Sequence, residues 1–174
     1  MQQTRFTFKL IHWFLTGIER GMYDDNSLSI GSDCFGDYYV QKLNEYEYLW
    51  QENPFGDFFQ NVFPEISLTY QFYYMITNDC DVDKIVNDYM VFCWYRGCWP
   101  EQMLSQVENK FLYILRAVND AAIVWYEGVP ANKQNLTDAE TKQWISLAEQ
   151  TGQTTSNIFK DLTGFYPVPK DQRK

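Results

Sequence analysis

Four cysteines, a single histidine and a run of alternating carboxylates are the residues of this chain whose types and spacing invite chemistry. Asp79, Asp81 and Asp83 alternate as the first ligands of a calcium-binding loop do. Such a loop needs Gly at its sixth position and Glu at its twelfth, and here these are Lys84 and Met90. Carboxylates favouring a helix N-terminus explain the run better. Cys93 and Cys98 are loosely spaced for zinc, while Cys34 and Cys80 are distant in the chain. A cysteine nucleophile would need a base. The only histidine, His12, lies between Ile11 and Trp13 in an aromatic segment and reads as a packing residue. Asp120 has no second carboxylate one helical turn away, and its i, i+4 partner is Arg116. Phosphate-binding glycine patterns and the serine-hydrolase elbow are absent. The sequence therefore assigns no catalytic residue, no metal ligand and no cofactor, and the chain reads as a non-enzyme.

Two features point to a compartment instead. An even number of cysteines in 174 residues is compatible with two disulfides. Asn135-Leu136-Thr137 is a glycosylation sequon in a polar linker, which makes Asn135 a candidate acceptor. Both fit an extracellular or cell-surface protein. Against them, residues 6–18 make a poor signal peptide, so the expectation is either a leader already removed or a protein that is not exported. The same segment is too short to span a membrane and contains Lys9 and His12.

Composition narrows the partners. With 23 acidic and 14 basic residues the net charge is −9, and that field repels nucleic acid and anionic membrane surfaces. The one basic cluster, Lys170, Arg173 and Lys174, reads as a frayed terminus. Aromatic residues make up 18% of the chain, more than one core of this size requires, so part of them is expected on an assembly surface.

The elements that must position these residues read as helices throughout. The longest stretch is 100–128, where Leu104, Val107, Phe111, Ile114, Val118, Ala121 and Trp125 alternate by three and four residues. This is one face of a helix about 40 Å long, widened by Leu112, Leu115 and Ala122 and expected to be buried against several neighbours. Pro100 and Gly128 suit its two ends. A first helix covers 6–23, and its Gly17 and Gly21 offer a place where another helix can approach closely. A second is expected over 34–51 behind Ser32 or Asp33 as cap. Asn53-Pro54 breaks the chain, 55–63 reads as a short helix, and Pro64 opens another to about residue 77 despite strand-like alternation at 66–74. Asp81 caps a helix over 82–95, ended by Gly97. Thr137 and Glu140 form a capping box for a helix interrupted at Gly152, and a last short helix over 155–162 ends at Gly164. The expectation is an all-α protein: a single domain over 1–164, an orthogonal bundle of six to seven helices around a long central helix at about 101–127. An extended tail follows over 165–174.

Helix geometry also sorts the cysteines. Cys80 and Cys93 stand at opposite ends of one helix, roughly 20 Å apart, far beyond the ~7 Å Cα separation a disulfide tolerates. Cys98 follows Cys93 closely and is equally remote from Cys80. The pairs that remain are Cys34 with Cys80 and Cys93 with Cys98, the second through a turn at Gly97.

Gly17-Ile18-Glu19-Arg20-Gly21-Met22, followed by a polar loop and Cys34, resembles the start of cysteine-containing helical proteins of ciliated protists. The likeness covers the first hundred residues. It implies a secreted or surface protein of unknown activity and no catalytic residue, and the expectation that residues 6–18 are no leader departs from that pattern. The leading functional expectation is a structural or interaction subunit, extracellular or on a cell surface, assembling through aromatic-rich helical faces with copies of itself or a protein partner. Two alternatives remain open: an accessory subunit of a large protist respiratory complex at the mitochondrial inner membrane, and a module binding sugars or lipids on aromatic side chains.

Overall fold

The computed structural model describes residues 2–52, 66–67, 69–128 and 136–167. Among the described residues every regular element is a helix and no strand occurs, so the fold is all-α. The helices with defined bounds are, in order, α1 (Gln2–Tyr23), α2 (Asp37–Glu52), α3 (Val82–Arg96), α4 (Pro100–Gly128) and α5 (Asp138–Thr163). Between α2 and α3, helical residues 69–74 run into a π-helix, Met75–Asp79. The helix expected over 55–63, the opening at Pro64, the sequon residue Asn135 and the basic residues Lys170, Arg173 and Lys174 lie outside the described residues.

The chain divides into two compact units. The first comprises Met1–His12 and Ile30–Asp83, the second Trp13–Ser29 and Lys84–Lys174.

The first unit is small and aromatic. Phe8 of α1 meets Phe35 and Phe72 edge to face at 5.0 and 6.2 Å, and Tyr39 of α2 lies 5.9 Å from Phe72. Met75, at the head of the π-helix, is fully buried. The disulfide Cys34–Cys80 closes this unit, with both cysteines buried and their Cα atoms 4.8 Å apart. The expected start of α2 at Cys34 is corrected to Asp37. Phe35 adopts a φ of 54°, which no helix residue shares, and Cys34 is held in a turn by its bridge. His12 donates from Nδ1 to the Cys34 carbonyl at 3.0 Å, so the lone histidine anchors that turn.

The second unit is organised by α5 rather than by α4. Leu147, Ala148, Gly152 and Ser156 form its buried side. The expected interruption at Gly152 does not occur: α5 is continuous over 26 residues, and the separate helix over 155–162 is its last part. Glycine is required there for a different reason. A Cβ on Gly152 would overlap the Phe14 carbonyl oxygen and come within 2.8 Å of the Ile18 nitrogen. Across the same crossing a Cβ on Gly17 would overlap the Glu149 carbonyl, and one on Gly21 would stand 2.9 Å from the Gln153 oxygen. The glycine pair of α1 thus does let another helix approach, to backbone contact. Arg20 and Glu149 pair across this crossing, and Lys160 reaches Asp24 at 2.6 Å.

The ends of α5 obey local rules. The Thr137 side chain accepts from the Glu140 nitrogen while Glu140 accepts from the Thr137 nitrogen at 2.7 Å, a complete capping box. Two hydrogen bonds from Thr137 hold the Glu140 carboxyl below its usual range. Gly164 closes the helix at a φ of 68°. Beyond it Phe165, where the tail was expected to begin, is buried in a cluster with Met22 and Phe92.

Candidate interaction surface

The cysteines are where helix geometry puts them. Cys34 bonds Cys80, and Cys93 bonds Cys98 with Cα atoms 5.0 Å apart. Gly97, at a φ of 78°, turns the chain back at the end of α3 and donates its N–H to the Cys93 carbonyl at 2.9 Å. Asp79 and Asp81 do not gather with Asp83. Asp79 accepts from the Tyr39 hydroxyl at 3.0 Å, and burial together with this bond pushes the Tyr39 phenol up to about 12. Asp81 holds a left-handed φ of 53°, outside the extended backbone usual for a helix cap. Among the described residues no three metal-ligating side chains converge.

Buried charge that the sequence reading did not single out lies in the second unit. Glu19, 2% exposed, accepts from Lys84 Nζ at 2.7 Å through Oε1, while its Oε2 has no partner. Lys84 also stands 4.8 Å from the centre of the Tyr23 ring, and the Tyr23 hydroxyl donates to Asp88 at 2.8 Å. The signal in the sequence was present but faint: Glu19 and Arg20 interrupt the apolar pattern of α1 between Ile18 and Met22. A cleft of about 280 Å³ lies between α1, α3 and α5, walled by Ile18, Met22, Ile85, Val86, Tyr89 and Phe159. None of Glu19, Tyr23, Lys84 or Asp88 lines it. The carboxylates therefore tie helices together and do not confront a bound molecule there.

Three exposed helical stripes among the described residues are apolar. In the first unit Ile66, Tyr70, Tyr73 and Tyr74 are exposed at helical spacing. In the second, Val86, Met90 and Trp94 rise one turn apart along α3, Trp94 being 87% exposed. The third stripe lies on α4. Gln106 lies near Gly164, and Lys110 bonds Asp161 of α5 at 2.9 Å, so one side of α4 is turned towards α5. Val107 and Ile114 are half-buried beside it. The rest of the seam is not: Leu104, Phe111 and Val118 are 62%, 54% and 50% exposed, with Leu112 and Leu115 also exposed. For its described side chains, burial of this helix against several neighbours is thus corrected to coverage along one flank. Each such side chain leaves about 1 kcal/mol of apolar burial unrealised. Arg116 is exposed, and the side chains of Asp120, Ala121, Ala122 and Trp125 lie outside the described residues.

No helix among the described residues is long and apolar enough to cross a membrane. Compared with models of known protein families, with curated proteins and with solved structures, the chain matches none.

Proposed function

We propose that this chain is a non-enzymatic structural or interaction subunit, extracellular or on a cell surface, that works by packing its exposed helical faces against other protein. The observation that carries the reading is the set of three apolar stripes, on helical residues 66–74, on α3 and on α4. Scattered apolar residues are normal on a protein surface, whereas aligned ones at helical spacing mark a contact. Part of the aromatic surplus of the composition lies here, in Tyr70, Tyr73, Tyr74 and Trp94, residue types suited to half-wet interfaces. Two disulfides and no free cysteine among the described residues support an oxidising compartment.

Two measurements test this reading. Sedimentation of the purified chain over a wide concentration range is expected to show self-association or a retained partner, and a monomer at every concentration with no partner extracted would sink it. Intact mass of protein from its native source, with and without reductant and glycosidase, is expected to give four bonded cysteines and a glycan at Asn135. Four reduced cysteines would remove the extracellular assignment.

A further inference from the structure

Three helices of the second unit are held at a spacing that leaves room between them. α1 and α5 touch at Gly17, Gly21 and Gly152, where close backbone contact lets neither helix move nearer. α1 and α3 are tied by Lys84 to Glu19 at 2.7 Å and by Tyr23 to Asp88 at 2.8 Å. The side chains beside these ties do not fill the space, and the cleft of about 280 Å³ is what remains. Its walls are kept from collapsing into it. Ile18, Ile85, Tyr89 and Phe159 line the cleft and also pack on the buried cluster of Met22, Phe92 and Phe165. An unfilled apolar space of this kind destabilises a fold in proportion to its volume.

The polar groups around the cleft decide what suits it. Thr155 and Ser156, which line it, donate their hydroxyl protons at 2.8 Å to the Thr151 and Gly152 carbonyls of their own helix. Lys84 and Lys160, the chain neighbours of Ile85 and Phe159, pair with Glu19 and Asp24. Tyr89 and Phe159 meet edge to face at 5.1 Å and make one wall aromatic. Water held in a protein interior needs two to four polar partners, and these walls are poor in them. We propose that the cleft binds a small, uncharged, apolar molecule. Its volume is nearly twice the ~150 Å³ of an apolar cavity that takes one benzene, which sets the guest at roughly eleven carbon atoms. Val86 is half exposed and stands at the mouth. The net charge of −9 disfavours a carboxylate of the same size. This site lies beyond the assembly reading and does not depend on it.

The test uses the full chain with its disulfides intact, and the probe is naphthalene, which is close to the expected size. Saturable one-to-one binding is expected, with methyl NMR shifts centred on Ile18, Ile85 and Val86 and a raised thermal midpoint. Decanoate, similar in carbon count but charged, is expected to bind at least tenfold more weakly. Ile85→Phe fills the cleft from a half-buried wall and is expected to weaken naphthalene at least tenfold while raising the midpoint of the unliganded chain. Val86→Phe narrows the mouth from a position already half exposed, so it tests the site even if Ile85→Phe fails to fold, and the same tenfold loss is expected. Absence of saturable binding, or wild-type affinity in every variant that folds, would overturn the site. Decanoate binding as tightly as naphthalene would overturn the uncharged class. Sedimentation reads assembly separately, so failure here leaves that reading standing.

Discussion

Each of the two units is stabilised internally by different means. The first closes on a long-range disulfide and on rings meeting edge to face around Phe8, Phe35 and Phe72. The second closes on two helix backbones in contact at Gly17, Gly21 and Gly152, bordered by ion pairs and finished by a capping box. A small core with few neighbours gains most from a covalent restraint on its unfolded chain. Long helices with small residues at their crossing hold by close packing without one.

This contrast can be broken at its strongest point first. The Cys34–Cys80 bridge spans 46 residues and by chain entropy stabilises by about 4 kcal/mol, against about 2 for the short bridge between Cys93 and Cys98. Replacing Cys34 and Cys80 by Ser is expected to abolish amide-exchange protection over 30–40 and 69–79 while 141–163 stays protected. Equal loss over both stretches would erase the distinction between the units. Replacing Cys93 and Cys98 should cost about half as much and chiefly fray the end of α3.

Gly152→Val is the corresponding probe of the second unit. Its side chain meets backbone, which cannot rotate away, so α1 and α5 must separate at a cost of about 3 kcal/mol. The expected reading is a lower denaturation midpoint with protection lost over 13–23 and 145–156, and an unchanged midpoint would show that the crossing is looser than close backbone contact requires.

The ends of α5 provide a smaller effect. Thr137→Ala should cost about 1 kcal/mol. Because Glu140 titrates below its usual value when folded, its contribution is present above the ordinary carboxylate range and is lost as pH falls through the folded value. The difference between Thr137→Ala and wild type is therefore expected to shrink on acidification, measured by urea denaturation at a series of pH values.

The smallest expected effect belongs to Tyr39 in the first unit. Its phenol is raised, so the stability it lends is complete below pH 10 and fades as pH climbs through about 12. Phenolate absorbance during alkaline titration should show one tyrosine ionising late, and Tyr39→Phe should remove that late step. If the step persists, the Tyr39–Asp79 bond is not what holds the proton.

Read alone, the sequence determined the helical class, the capping box at Thr137, the turn at Gly97 and the pairing of all four cysteines. Each of these follows from distances along one helix or one turn, where 1.5 Å and 100° per residue leave few choices. It also indicated that Gly17 and Gly21 would admit another helix. It did not say which helix, and it misread the matching Gly152 as a break, because a glycine that ends a helix and one that lets a backbone approach look identical in a sequence. The start of α2 moved from Cys34 to Asp37 because a bridge to a residue 46 positions away, together with the left-handed Phe35 beside it, overrode local preference. Above all, periodicity marked the apolar face of α4 but not what would cover it. Coverage depends on the surface that other helices have left to offer. Here α5, which presents its small residues to α1, reaches only one flank of α4, and that choice could be made only in three dimensions.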